Sequence, residues 1–300
     1  MTKARRDAAT LITTALLRRW PLPRVHPKLG KEGRGDVLVV GGSSQIPGAA
    51  ILAAVGALRA GAGKLQIATA RSVAAQVAVM VPEARVIGLR ETRKGELASG
   101  CHEALSDEVL AAHAVLLGPG MSDERAAIDL LKHCAGGGSS ASFIIDAAAL
   151  RVFAGRKPLR PAATNDVIAT PHSGEMAELW GCTRDEVMAR PLDIARQAAK
   201  ALGVVIALKG SHTFVVGPDG SAYCNTAGNV GLGTSGSGDT LSGVIAGLRA
   251  RGADALQAAV WGVYLHAKAG DILARRIGPL GFLARELLTE IPALLVKIAR

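Results

Sequence analysis

The chain has 300 residues, 49% hydrophobic and only 3% aromatic, with a formal net charge of +10. That length and apolar content suffice for one large α/β domain, and no run is apolar for long enough to span a bilayer. Few aromatics leave little to stack on bases, and the basic residues are dispersed apart from Lys3–Arg6, Arg18–Arg19 and Arg275–Arg276; this argues against nucleic acid and favours a solvated basic surface, to which a field that draws in phosphate-bearing small molecules is the functional addition.

The first twenty residues, MTKARRDAATLITTALLRRW, carry a basic flank, a short Thr-broken apolar run and no small-residue cleavage site. They predict an amphipathic leading helix. Residues 1–25 read as an N-terminal extension and 26–300 as one domain. Cys101, Cys134, Cys182 and Cys224 show no CxxC pairing, which predicts reduced thiols, no structural zinc and a cytoplasmic protein.

From Asp36 onward short apolar runs alternate with helical ones. VLVV (37–40) precedes GAAILAAVGALRAGAG, and LQIAT (65–69) precedes RSVAAQVAVM. AVLLGPG (114–120) precedes DERAAIDLLKHC; FIIDAAAL (143–150), DVIATPH (166–172), a helical stretch near 190–202 and VVIALKG (204–210) come next. Strands this continuously apolar are covered on both faces, which predicts a mostly parallel sheet between helical layers. HTFVVGPDGSAYCN breaks that rhythm and predicts an antiparallel edge hairpin about Gly217–Gly220. The tail from Asp254 reads as helical.

The most informative stretch is NTAGNVGLGTSGSGDTLSG (225–243), a glycine-rich loop that opens a helix. The amides of Gly236, Ser237 and Gly238, at the start of that helix, form a candidate anion loop. A carboxylate there, Asp239, is out of character beside a phosphate unless it takes a proton from an attacking hydroxyl; the alternative is a helix N-cap. Gly41-Gly42-Ser43, before Pro47-Gly48-Ala49-Ala50, is a second strand-to-helix turn. Its spacing is not GxGxxG and no acid ends the next strand, which argues against a Rossmann dehydrogenase. Gly61-Ala62-Gly63-Lys64-Leu65 is not a Walker A loop, and the Ser-rich loop is not GxSxG.

Three further strand ends carry candidate ligand contacts. Gly118-Pro119-Gly120 comes directly after VLL. In Thr170-Pro171-His172-Ser173-Gly174-Glu175, His172 can donate to a ligand oxygen and Glu175 can hold water around a magnesium ion, or the segment is a helix cap with Ser173 as N-cap. In Lys209-Gly210-Ser211-His212-Thr213, the lysine suits a nucleotide phosphate and the hydroxyls and amides suit a nucleotide edge.

Taken in order, GGSSQIPGAAILAAVGALRAGAGKLQIAT, LLGPG, IIDAAAL, TPHSGEMAEL, LKGSHTFVVGPDG, NTAGNVGLGTSGSGDTLSGVIAGL and YLHAKAGD closely resemble the ADP-dependent (S)-NAD(P)H-hydrate dehydratases of the ribokinase-like superfamily. The resemblance runs from about Gly33 to Leu295. It implies a ribokinase-like three-layer α/β/α sandwich, with Ala49, Gly120, His172 and Asp239 lining the hydrated-cofactor site. Lys209, Gly210, Ser211, His212, Thr213 and Gly238 would hold the adenine nucleotide, ADP or ATP, with Mg2+, and Asp239 would be the catalytic acid–base group. It also implies a homotetramer; the family's fused form carries an N-terminal epimerase domain, for which the stretch before the first motif is expected to be too short. The chain departs from the family pattern at Ser235, Ser173 and Ala148. A small-molecule kinase for a vitamin precursor would use the same Asp and loop, and a silent nucleotide-binding regulator would use the loop alone.

Overall fold

The computed structural model describes residues 8–24, 28, 30–136, 138–155 and 166–299. The basic cluster Lys3–Arg6 and the start of the expected leading helix lie outside the described residues. Next in the chain come a two-residue strand, β1 (Thr10–Leu11), and a short helix, α1 (Thr14–Arg19), whose N-cap Thr13 accepts from the Leu16 amide at 3.1 Å.

All described strands join one ten-stranded sheet. Besides β1 they are β2 (Asp36–Val40), β3 (Lys64–Ala70), β4 (Arg85–Leu89), β5 (Ala114–Leu117), β6 (Ser142–Ile145), β7 (Val167–Ala169), β8 (Val205–Leu208), β9 (Thr213–Val216) and β10 (Ala222–Asn225). Their order is β1-β10-β9-β8-β7-β6-β5-β2-β3-β4. From β4 to β8 every pairing is parallel, while β9 is antiparallel to both β8 and β10. The parallel core and the hairpin are thus as the sequence predicts. β4 carries no continuous apolar run and is not among the strands the sequence predicts.

The apolar strands are buried on both faces because each face meets its own helical layer. Val37, Val39, Leu65 and Ile67 point into one core, with α2 (Pro47–Arg59), α9 (Ser237–Ala250), α10 (Ala255–Arg276) and α11 (Ala284–Ala299). Their sequence neighbours Leu38, Val40, Ala68 and Ala70 point into the other, with α4 (Ser106–Ala111), α5 (Glu124–Gly136), α6 (Ser173–Trp180), α7 (Arg184–Ala189) and α8 (Pro191–Leu202). Alternation with period two therefore puts every one of these strand residues into a dry layer. Helix α3 (Ala74–Met80) bridges β3 and β4.

Strand order reverses at β2, which pairs with β3 on one side and β5 on the other. The crevice beyond the carboxyl ends of β2 and β5 is thus the switch point, the place where open α/β sheets bind ligands. Nearby, α2 and α9 pack backbone to backbone. A Cβ on Gly243 would run into the Ala53 carbonyl, and one on Gly247 into that of Ala57. This contact brings the N-termini of both helices to the same end of the sheet.

Glycine to alanine in a helix ordinarily stabilises by about 0.5–1 kcal/mol. Gly243→Ala is expected to reverse that sign and cost about 1–3 kcal/mol through overpacking, read as a lowered denaturation midpoint with unchanged m-value.

Candidate active site

At the switch point two glycine turns interlock. The Gly42 amide donates to the Pro119 carbonyl at 2.7 Å and the Ser43 amide to that of Gly120 at 3.0 Å. Gly120 has φ +68°, and a Cβ there would lie 2.9 Å from Ala49 Cβ, in the first turn of α2. Ala49 is itself 4% exposed. Ala49 and Gly120 therefore meet directly, and small residues leave the crevice floor to backbone.

Helix α9 enters the same region. Its N-cap is Gly236, at φ +85°, with Asp239 in the first turn. Asp239 is not the N-cap, so the capping alternative fails. The anion loop differs from expectation at its middle residue. The Ser237 amide donates to the Thr234 carbonyl at 3.2 Å, and the Ser237 hydroxyl pairs with His266 Nε2 at 3.0 Å. The tight turn that makes the loop uses up that amide, which leaves Gly236 and Gly238 as its candidate anion donors. His266 lies under the loop on α10; burial, together with the Lys209 charge, outweighs its contact to Ser237 and pushes its pKa down to about 4. The imidazole is neutral there.

Lys209 comes just after β8, and its amide donates to the Pro171 carbonyl at 2.8 Å. Its ammonium sits above the α9 terminus, 3.4 Å from where a Cβ on Gly238 would be. It bonds Asp146 Oδ1 at 3.1 Å and lies 3.8 Å from Glu175 Oε2. Burial disfavours the Lys209 charge, but Asp146, Glu175 and Asp239 outweigh it and its pKa is raised. Around one ammonium there are thus three carboxylates. The pKa of Asp239 is pushed up to about 6, first by burial and then by Asp146 and Glu175, against the pull of Lys209.

The segment 170–175 is a helix cap that leaves one ring nitrogen free to meet a ligand. His172, not Ser173, is the N-cap of α6; its Nδ1 accepts from the Gly174 and Glu175 amides at 3.0 and 3.1 Å. Glu175 Oε2 returns the bond by accepting from the His172 amide at 2.7 Å. An Nδ1 that accepts twice leaves the proton on Nε2. The side chain is 59% exposed, so this Nε2–H is a donor available to a ligand. The cap and the donor are one residue.

A cleft of about 1010 Å³ opens beside this cluster, lined by Lys209, Gly210, Ser211, Thr213, Gly238 and, across from them, Val230 and Leu232. Its size suits a nucleotide. His212 is exposed and is not among the lining residues, because the turn after Lys209 carries it outward. Among the described residues no group of three or more His, Cys, Asp or Glu could cage a metal ion. One carboxylate with water and phosphate oxygens is a usual magnesium environment. Glu175 suits that role, since its Oε2 is taken by the cap while Oε1 stands 3.6 Å from His172 Nε2, beyond hydrogen-bond distance.

The sequence reading missed Asp146 and the placement of His266. Asp146 is 2% exposed and precedes Ala147, whose φ is +49°. The available signal was an acid immediately after the wholly apolar strand FII, at the sheet end where ligands bind.

A family model for NAD(P)H-hydrate dehydratase matches residues 37–293. The ADP-dependent (S)-NAD(P)H-hydrate dehydratase of Xanthomonas campestris pv. campestris is 48% identical over 96% of this chain and 97% of its own length. The bifunctional NAD(P)H-hydrate repair enzyme of Moorella thermoacetica is 37% identical over 95% of this chain, which spans 53% of that protein. Among solved structures, the ADP/ATP-dependent NAD(P)H-hydrate dehydratase from Bacillus subtilis, co-crystallised with ATP and Mg2+, superimposes with a TM-score of 0.84 at 30% identity. That match covers 97% of this chain and 99% of the other.

Asp239 also sets a pH dependence of stability. Its folded pKa, about 6, lies above the ordinary 3.8, so ionising it costs the folded state as pH rises from about 4 to 6, and the penalty is complete above that. Asp239→Asn is expected to stabilise the protein at pH 8 by up to about 3 kcal/mol, with the difference vanishing near pH 4, in chemical denaturation at both pH values.

Proposed function

Since the chain belongs to the NAD(P)H-hydrate dehydratase family, we propose that it dehydrates (S)-NAD(P)H hydrate back to NAD(P)H, with ADP converted to AMP and phosphate. The observation that carries this reading is Asp239, a partly buried carboxylate of raised pKa beside Lys209 and the α9 terminus. A base with a pKa near 6 is mostly ionised at pH 7 and still holds a proton well enough to take one in a transition state.

The hydrate carries a hydroxyl on the ring carbon next to nitrogen, and hydroxide is a poor leaving group. Asp239 takes the hydroxyl proton as that oxygen attacks the terminal phosphorus of ADP and the bond to the AMP oxygen breaks. The ring C–O bond then breaks with its electron pair leaving on phosphate, pushed by the nitrogen lone pair. Loss of a neighbouring ring proton restores the double bond. Lys209 meets the phosphate oxygens as a point charge, and the Gly236 and Gly238 amides add fixed donors. Gly210, Ser211 and Thr213 complete the nucleotide side, and His212, turned outward, takes no part in it. Ala49 and Gly120 form the floor for the nicotinamide end, where His172 Nε2–H donates to the hydrate. Glu175 would hold a magnesium ion through water, and the ion would supply charge neutralisation on the phosphates. The homotetramer and the cytoplasmic location belong to the same reading.

The test mixes enzyme, Mg2+ and ADP or ATP with hydrated NADH or NADPH and monitors the returning dihydronicotinamide absorbance. Asp239→Asn is expected to lower turnover at least about a hundredfold, the loss of roughly 3 kcal/mol of transition-state stabilisation. In the wild type kcat/KM should fall tenfold per pH unit below about 6. Near-normal turnover in the variant removes Asp239 as the base. Failure with both nucleotides, together with phosphorylation of hydroxymethylpyrimidine, hydroxyethylthiazole or pyridoxal, replaces the dehydratase with a kinase.

A further inference from the structure

The switch crevice has a cover for which the dehydration chemistry has no use. After β4 the chain forms a small hairpin, bridged Glu91 to Leu97, whose tip is the turn Thr92–Glu96. The Gly95 amide donates to the Thr92 carbonyl at 2.9 Å and the Thr92 amide to that of Glu96 at 2.8 Å. Leu97 is 1% exposed and roots the hairpin in the core.

The tip is docked onto both glycine turns of the crevice. The Ser44 amide, just past β2, donates to the Gly95 carbonyl at 2.8 Å. Gly95 has φ +76°, and a Cβ there would run into Ser44 Oγ. On the other side Glu96 Oε2 accepts from the Ser122 amide at 3.1 Å, two residues past Gly120. The second acid, Glu91, accepts from the Ser72 hydroxyl at 2.8 Å. Both carboxylates of the hairpin are therefore turned to the body of the protein. Between them stand Arg93 and Lys94, both exposed, with no ion-pair partner among the described residues. The crevice rim thus presents two cations without an ion-pair partner among the described residues, on a backbone fixed from two sides.

We propose that this tip is the subsite for the phosphates of the dinucleotide substrate, with Arg93 and Lys94 as specificity-determining residues. The proposal rests on the chain acting on hydrated NAD(P)H. If the nicotinamide end lies on Ala49 and Gly120, the diphosphate bridge must leave past the rim that the hairpin covers. Arg93 offers a planar fork to a phosphate and Lys94 a point charge. NADPH hydrate carries one more phosphate dianion than NADH hydrate, so the tip favours the phosphorylated cofactor.

The test is the double variant Arg93→Ala/Lys94→Ala beside wild type. Its KM for hydrated NADPH is expected to rise at least tenfold, by more than for hydrated NADH, with kcat within twofold and KM for ADP unchanged. Restoring the charge alone with Arg93→Lys should recover part of the loss. A parallel fluorescence titration with NADPH itself, without ADP, should show the same weakening and a flatter salt dependence. Equal NADPH affinity and equal KM in variant and wild type overturn the subsite while leaving the dehydratase activity intact. If wild type fails to act on the hydrate but the NADPH titration shows the loss, the subsite stands and the activity falls.

Discussion

One ammonium among three carboxylates is the interaction on which the rest of this site depends. Lys209 is held at 3.1 Å by Asp146 and lies 3.8 Å from Glu175, at the terminus of α9. The local balance is short of positive charge. Asp239 has a raised pKa, first because it is buried and then because Asp146 and Glu175 add their charges against the pull of Lys209. The same arrangement holds the lysine extended over the glycine loop, where a phosphate would meet it, and neither residue would behave this way alone. Burial without the lysine would leave Asp239 still more reluctant to ionise, and a lysine without the acids would lose charge to burial.

The parallel sheet was legible because fully apolar strands have one common explanation, cover on both faces, and the antiparallel hairpin because its turn breaks that rhythm, although β1 and not the hairpin forms the sheet edge. β4 was not, since ARVIGLR mixes charge and glycine and its assignment comes from pairing with β3. The leading segment also differed. Six helical residues come after a strand that extends the sheet beyond β10, and Trp20 stacks on Tyr223 at 5.6 Å between ring centroids. Such a contact joins residues about two hundred positions apart and leaves no local trace.

The candidate site divides in the same way. Gly236, Gly238, Asp239 and Lys209 were legible because loop chemistry and strand ends announce themselves locally. Asp146 was not, because its role exists only once β6 and β8 bring it to Lys209. The segment at 172 shows a subtler limit. Sequence offered a cap and a ligand contact as alternatives, with Ser173 as the capping residue. A histidine has two ring nitrogens, so the cap at His172 does not exclude a ligand contact, and it sets which nitrogen keeps its proton.

The direct backbone contact between α2 and α9 has a consequence for how the enzyme can move. Where side chains separate two helices, small rotamer changes let them slide; here Gly243 and Gly247 rest on carbonyls, and there is nothing soft to shear. The spacing between the crevice floor and Asp239 is in effect a fixed gauge. Any opening and closing during turnover has to come from the segments that roof the pocket, and warming should leave the reaction geometry intact until the whole domain gives way.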